Sequence, residues 1–157
     1  MIYVRYILLF LCFVSGCKFR NIYDSSLKIN VNPISLAPLE QRDFFTLKSE
    51  LAFLFPQDDE VEVCDMFIKT NKNIVFSGLT SSAFATNKNI AITCNYKLDC
   101  GSIHINRTIV LDSDYAAIQN SVFSDYSTEQ KISDDLLKRI AKMIYDDVKM
   151  TAIEAGL

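Results

Sequence analysis

The chain has 157 residues, 16 basic and 19 acidic, one histidine and a formal net charge of −3. That length suits one domain with one core. A mildly acidic chain with no basic run argues against nucleic acid, and one histidine with scattered cysteines matches none of the familiar zinc spacings.

Met1-Ile2-Tyr3-Val4-Arg5 precedes an apolar run from Tyr6 to Val14. A membrane-spanning helix needs about 20 apolar residues. This run is far shorter, so residues 1–16 read as a secretory signal peptide. Val14-Ser15-Gly16-Cys17 looks like a lipobox, the signature of bacterial lipoproteins. Cleavage is expected between Gly16 and Cys17. The Cys17 thiol would take a diacylglyceryl group and its new amine a further acyl chain such as palmitate. At about 0.8 kcal/mol per buried methylene, two or three chains make a near-permanent membrane anchor. The competing reading is an uncleaved signal anchor with a chance cysteine. Lys18, following the anchor, is compatible with outer-membrane sorting and a periplasmic domain. Without residues 1–16 the chain keeps 15 basic and 19 acidic residues, net −4. Such a surface has no general attraction for an anionic glycolipid.

Residues 17–26 read as a lipidated tether and 27–157 as one α+β domain. Leu27 to Asn32 alternates apolar and polar as a half-buried strand does, and Pro33 ends or edges it. Pro38 is placed to start a helix and Pro56 to stop it. Between them Phe44, Leu47, Leu51, Leu54 and Phe55 recur at helical spacing. Gln57 to Glu60 is a turn, and Val61 to Lys69 a second strand. Thr70-Asn71-Lys72-Asn73 is either a turn or a bulged continuation, with Ile74-Val75-Phe76 resuming the strand. Ser77 to Asn89 has no clear pattern.

Ile90, Ile92, Cys94, Tyr96 and Leu98 share one strand face. Asp99-Cys100-Gly101 is a turn in which Gly101 allows positive φ. Ile103, Ile105, Ile109 and Leu111 line the next strand. Arg107 breaks its apolar face, which predicts a bulge or an edge. Asp112 to Asp125 reads as a loop that, with Tyr126, carries buried aromatics (Tyr115, Phe123, Tyr126). Ser127 and Gln130 fit a capping box. The last helix then buries Ile132, Leu136, Leu137, Ile140, Ile144 and Val148. Two amphipathic helices packed on a mostly antiparallel sheet of about four strands make a two-layer α+β sandwich.

No catalytic constellation emerges, and no enzyme, cofactor or metal is expected. His104 sits on the polar strand face without an aligned partner. Asp58-Asp59-Glu60 is a solvated turn, and Asp112-Ser113-Asp114 lacks the rest of a calcium loop. Cys64, Cys94 and Cys100 show no readable pairing, and buried free thiols are the expectation. Phe44, Phe53, Phe55, Phe67 and Phe76 are expected in the core rather than on a binding surface.

Cys17 is followed by Lys18-Phe19-Arg20-Asn21-Ile22-Tyr23. Then come Pro33-Ile34, a helix ending Leu51-Ala52-Phe53-Leu54-Phe55, and a hairpin with Asn95-Tyr96-Lys97-Leu98. Ser121 to Tyr126 and a long helix close the chain. This order resembles the lipopolysaccharide-assembly lipoprotein family (LptE-like), in its divergent Cys-x-Phe-Arg-x-x-Tyr branch. The resemblance implies a non-enzymatic plug inside a large outer-membrane β-barrel, supporting lipopolysaccharide transport to the cell surface and engaging the glycolipid. The other reading of the residues is an envelope lipoprotein acting as a structural or protein-interaction module.

Overall fold

The computed structural model describes residues 29–35, 41–55, 62–79, 85–101, 103–116 and 122–155. Gly16, Cys17, the signal and tether segments, Pro38, Pro56 and Asp58 to Glu60 lie outside them. In chain order the elements are β1 (Ile29–Ser35), α1 (Gln41–Leu54), β2 (Glu62–Leu79), β3 (Ala85–Cys100), β4 (Ile103–Ala116) and α2 (Val122–Glu154). The sheet order is β1-β2-β3-β4. β1 runs parallel to β2, whereas β2–β3 and β3–β4 are antiparallel. The sheet is therefore mixed, and both helices cover one of its faces in two layers.

The inward alternation explains the pairing. Met66, Ile68, Ile90, Ile92, Cys94, Tyr96, Leu98, Ile103 and Ile105 are all buried on that face. Leu47 and Leu51 come down from α1, Phe55 from just past its end, and Leu136, Leu137, Ile140, Ile144 and Val148 from α2. A one-residue slip in any strand would turn its apolar set to water, so the register is strongly specified. Gly101 sits at φ +55° in the tight β3–β4 connection, a conformation that costs glycine little.

Pro33 marks an edge, as one of the two sequence readings held: β1 runs through it and pairs it with Met66, and an edge strand tolerates a missing backbone donor. Three segments differ from the sequence reading. β2 is one strand of 18 residues, with no turn or bulge at Thr70 to Asn73. Those four residues pair with Cys94, Thr93, Ile92 and Ala91, and the inward polar pair Thr70 and Lys72 had masked the alternation. β4 continues to Ala116, so much of the expected loop is strand. α2 begins at Val122, five residues before the expected cap. Ser127 lies within the helix, and its hydroxyl donates to the Ser124 carbonyl at 2.9 Å.

The aromatic expectation is corrected in part. Phe55 is buried and meets Tyr145 edge to face at 5.2 Å between ring centres. Phe53 (84% exposed), Phe76 (60%), Phe123 (81%) and Tyr126 (54%) stand in solvent instead.

Candidate functional site

The sequence offered Cys17 as its one attachment residue, and it lies outside the described residues. What the domain supplies is a set of charged cross-links under the helices and a broad open face on the other side of the sheet.

Arg107 occupies an inward position of β4, opposite Tyr96 of β3. Two donors thus reach the helix layer side by side, and Asp147 of α2 accepts from both. Arg107 Nη1 is 2.9 Å from Asp147 Oδ1, and the Tyr96 hydroxyl donates to Asp147 Oδ2. Burial is the main reason that the Tyr96 phenol is pushed well above its usual range, with the Asp147 bond adding to it. The interruption at Arg107 marks an edge, as one of the two sequence readings held, and β4 pairs with β3 without a bulge.

A second cluster lies toward the other end of α2. Lys72 Nζ stands 3.8 Å from both Asp43 of α1 and Glu129 of α2, and Asp43 is 3% exposed. Arg42 bonds Asp134 at 2.9 Å, and Lys88 of β3 bonds Asp125 beneath the rings of Phe76 and Tyr115. The Asp125 bond is the main cause that raises the Lys88 pKa. Each pair joins two elements, so α2 is fixed along its length by specific partners as well as by apolar packing.

The cysteines depart from expectation. Cys64 of β2 and Cys100 of β3 form a disulfide, with Cα atoms 5.4 Å apart. Continuing the Met66–Leu98 register outward sets the two side by side. Spacing along the chain could not reveal this, because the pairing follows from strand register. Cys94 is a buried free thiol, and burial pushes its pKa up to about 12.

His104 is exposed on the open face, its Nδ1 3.0 Å from Asp99 Oδ1. That contact and the nearby Lys97 hold the Asp99 carboxyl below its usual range, Lys97 contributing most. By strand alternation Cys94 and Cys100 point to the opposite face, and His104 forms no Cys–His pair. Asp112 and Asp114 both accept from the Asn89 amide, at 3.1 and 2.9 Å, which accounts for their spacing. Among the described residues no three His, Cys, Asp or Glu side chains converge as a metal site. Nor is any described helix long and apolar enough to cross a membrane.

The open face presents short polar side chains in matched pairs. Asn32 bonds Asp65 at 3.0 Å, and Thr108 bonds Asn95 at 2.6 Å. Asn106 and Lys97 are exposed beside them. Such a face offers donors and acceptors in a fixed lattice, with Val63, Val75 and Val110 as exposed apolar points.

This architecture has solved counterparts. Rare lipoprotein B from Shewanella oneidensis superposes with a TM-score of 0.61 at 9% identity, covering 82% of this chain and 99% of that one. Lipoprotein B from Nitrosomonas europaea gives 0.58 at 13% identity, covering 89% and 93%. A minor lipoprotein from Acinetobacter baumannii gives 0.52 at 12% identity, covering 80% and 94%. The fold is one that bacterial lipoproteins use. No family model matches the sequence, and no curated protein matches it.

The sequence reading missed Asp147 and Lys72 as organising residues. A signal existed for the first. An arginine on an otherwise apolar strand face needs a facing acid, and α2 carries Asp146 and Asp147.

Proposed function

We propose that this chain is an envelope lipoprotein, anchored through Cys17 on the periplasmic side of the outer membrane, that works as a non-enzymatic partner of a large β-barrel. In this reading it supports lipopolysaccharide transport and assembly at that membrane. The observation that carries the proposal is the fold shared with rare lipoprotein B over 99% of that protein's length. The lipobox at Val14 to Cys17 supports it, because it supplies the anchor such a fold would need.

The open sheet face supports the choice of partner. Barrel interiors are polar and lined by alternating strand side chains. A rigid face of Asn, Thr, Lys and Asp side chains can exchange its water for hydrogen bonds to such a wall. The lipopolysaccharide role rests on the resemblance in chain order.

A second reading is favoured by the net −4 of the chain after Cys17. An acidic surface repels phosphorylated glycolipid, so the domain would serve as an interaction module without touching lipid. One experiment addresses both. The full chain with a C-terminal tag is expressed in its membrane, extracted in mild detergent, and its companions are identified by mass. The proposal predicts near-equimolar recovery of one large β-barrel. Recovery of the lipoprotein alone, while other barrel complexes survive, would refute the barrel role.

A further inference from the structure

β4 is an edge strand of 14 residues, and among the described residues it has β3 on one side and no strand on the other. Its outer row of backbone N–H and C=O groups is a template for another strand. Edges are usually blunted by proline, a bulge or an inward charge. The opposite edge, β1, carries Pro33. β4 has neither proline nor bulge: its register with β3 runs unbroken from Asn87–Ala116 to Cys100–Ile103. Its one inward charge, Arg107, is answered by Asp147 from within the same chain.

We propose that β4 pairs antiparallel with β4 of a second copy, about a two-fold axis at Val110, so that the two sheets become one. This goes beyond the functional reading above and does not depend on it. The choice of a second copy rests on complementarity along the strand. Directly opposed residues must share a face, and a two-fold at Val110 satisfies this throughout. On the open face Asn106 meets Asp114, Thr108 meets Asp112, and Val110 meets itself. On the helix face Ile105 meets Tyr115, Arg107 meets Ser113, and Ile109 meets Leu111. Asp114 faces the Asn106 amide, the Thr108 hydroxyl opposite Asp112 already donates to Asn95, and no like charges are opposed. Asn89 of β3 already makes the same kind of match from the other side, donating to both Asp112 and Asp114.

The helix layer fits the same symmetry. α2 packs over β3 and β4. Along its β4 flank lie two hollows of about 490 and 440 Å³, one beside Ser113 and Ile132, the other beside Arg107 and Met150. Met143 and Met150 are 45% and 48% exposed there. Strands lie about 4.8 Å apart. Helices above neighbouring strand pairs are then roughly 10 Å apart, the usual helix-packing distance. The second copy's α2 therefore runs antiparallel along these hollows and covers both methionines, whose flexible side chains adapt to such a seam.

The test places one charge on the axis. Val110 is 59% exposed, so V110K and V110E should leave the fold intact, checked by circular dichroism and thermal melting. The full chain in mild detergent is studied by sedimentation velocity over a hundredfold range of concentration. The wild type is expected to dimerise. V110K and V110E should each dissociate at least tenfold more readily, and an equal mixture of the two should recover dimer. A wild type that stays monomeric throughout overturns the proposal. So does a dimer that ignores V110K. A monomer whose capture of a β-barrel is abolished by V110K also overturns it.

Discussion

Arg107 Nη1 lies 2.9 Å from Asp147 Oδ1, and this ion pair ties the helix-facing side of an edge strand to the long helix above it. The same carboxylate accepts from Tyr96, which is 2% exposed. Asp147→Ala would leave a buried phenol and an inward guanidinium to find other partners. An unmet buried donor costs about 1–3 kcal/mol. Chemical denaturation should show a loss of that order, and Tyr96→Phe in the same background should recover part of it.

Cys94 sets an alkaline limit. Its pKa is pushed by burial from an ordinary 9.0 to about 12, so the folded chain keeps a proton that the unfolded chain releases. The native state then binds more protons across that window. Stability is fully present below about 9.0 and falls as pH rises toward about 12. Lys88, raised mainly by its bond to Asp125, and Tyr96, raised mainly by burial, add in the same direction. Cys94→Ala should therefore flatten the alkaline fall without abolishing it, as read from denaturation midpoints against pH.

The Cys64–Cys100 disulfide closes a separation of 36 residues. A loop of that size corresponds to roughly 3–4 kcal/mol of chain entropy in the unfolded state. Reductant should lower the melting temperature, and C64A/C100A should melt at the reduced wild type's temperature. Of the three cysteines beyond Cys17, only Cys94 should accept an alkylating label in the denatured, unreduced chain.

Lys72 stands between Asp43 and Glu129, with 16% of its side chain exposed. Lys72→Ala removes the cation that two carboxylates share. The site is not fully dry, so the expected cost is about 1–3 kcal/mol. Added salt should reduce the difference from wild type. A salt-independent loss would mean that the lysine stem, rather than its charge, is what the site requires.

The two-layer architecture was legible because buried positions carry a clean period. Ile90 to Leu98 alternate strictly, and Leu136 to Val148 recur at helical spacing. The reading failed where tertiary partners overrule local pattern. Thr70 and Lys72 look like turn residues, yet they pair inside a long strand because Lys72 has acids waiting in both helices. Ser127 resembles a cap, but α2 already runs through it from Val122. The disulfide was unreadable because it depends on register between β2 and β3. Exposed Phe53, Phe76 and Phe123 carry the same letters as core phenylalanines, and only their position in the fold separates the two.

The most direct test of the proposed role puts a photo-crosslinking residue at Asn95 or Lys97, both exposed on the open sheet face, in cells making the full chain. Phe53 on α1, 84% exposed, serves as the comparison site. The account predicts an adduct between the sheet face and one large β-barrel protein, dependent on Cys17. A chain that is anchored through Cys17 yet yields no barrel adduct from any sheet position would contradict it.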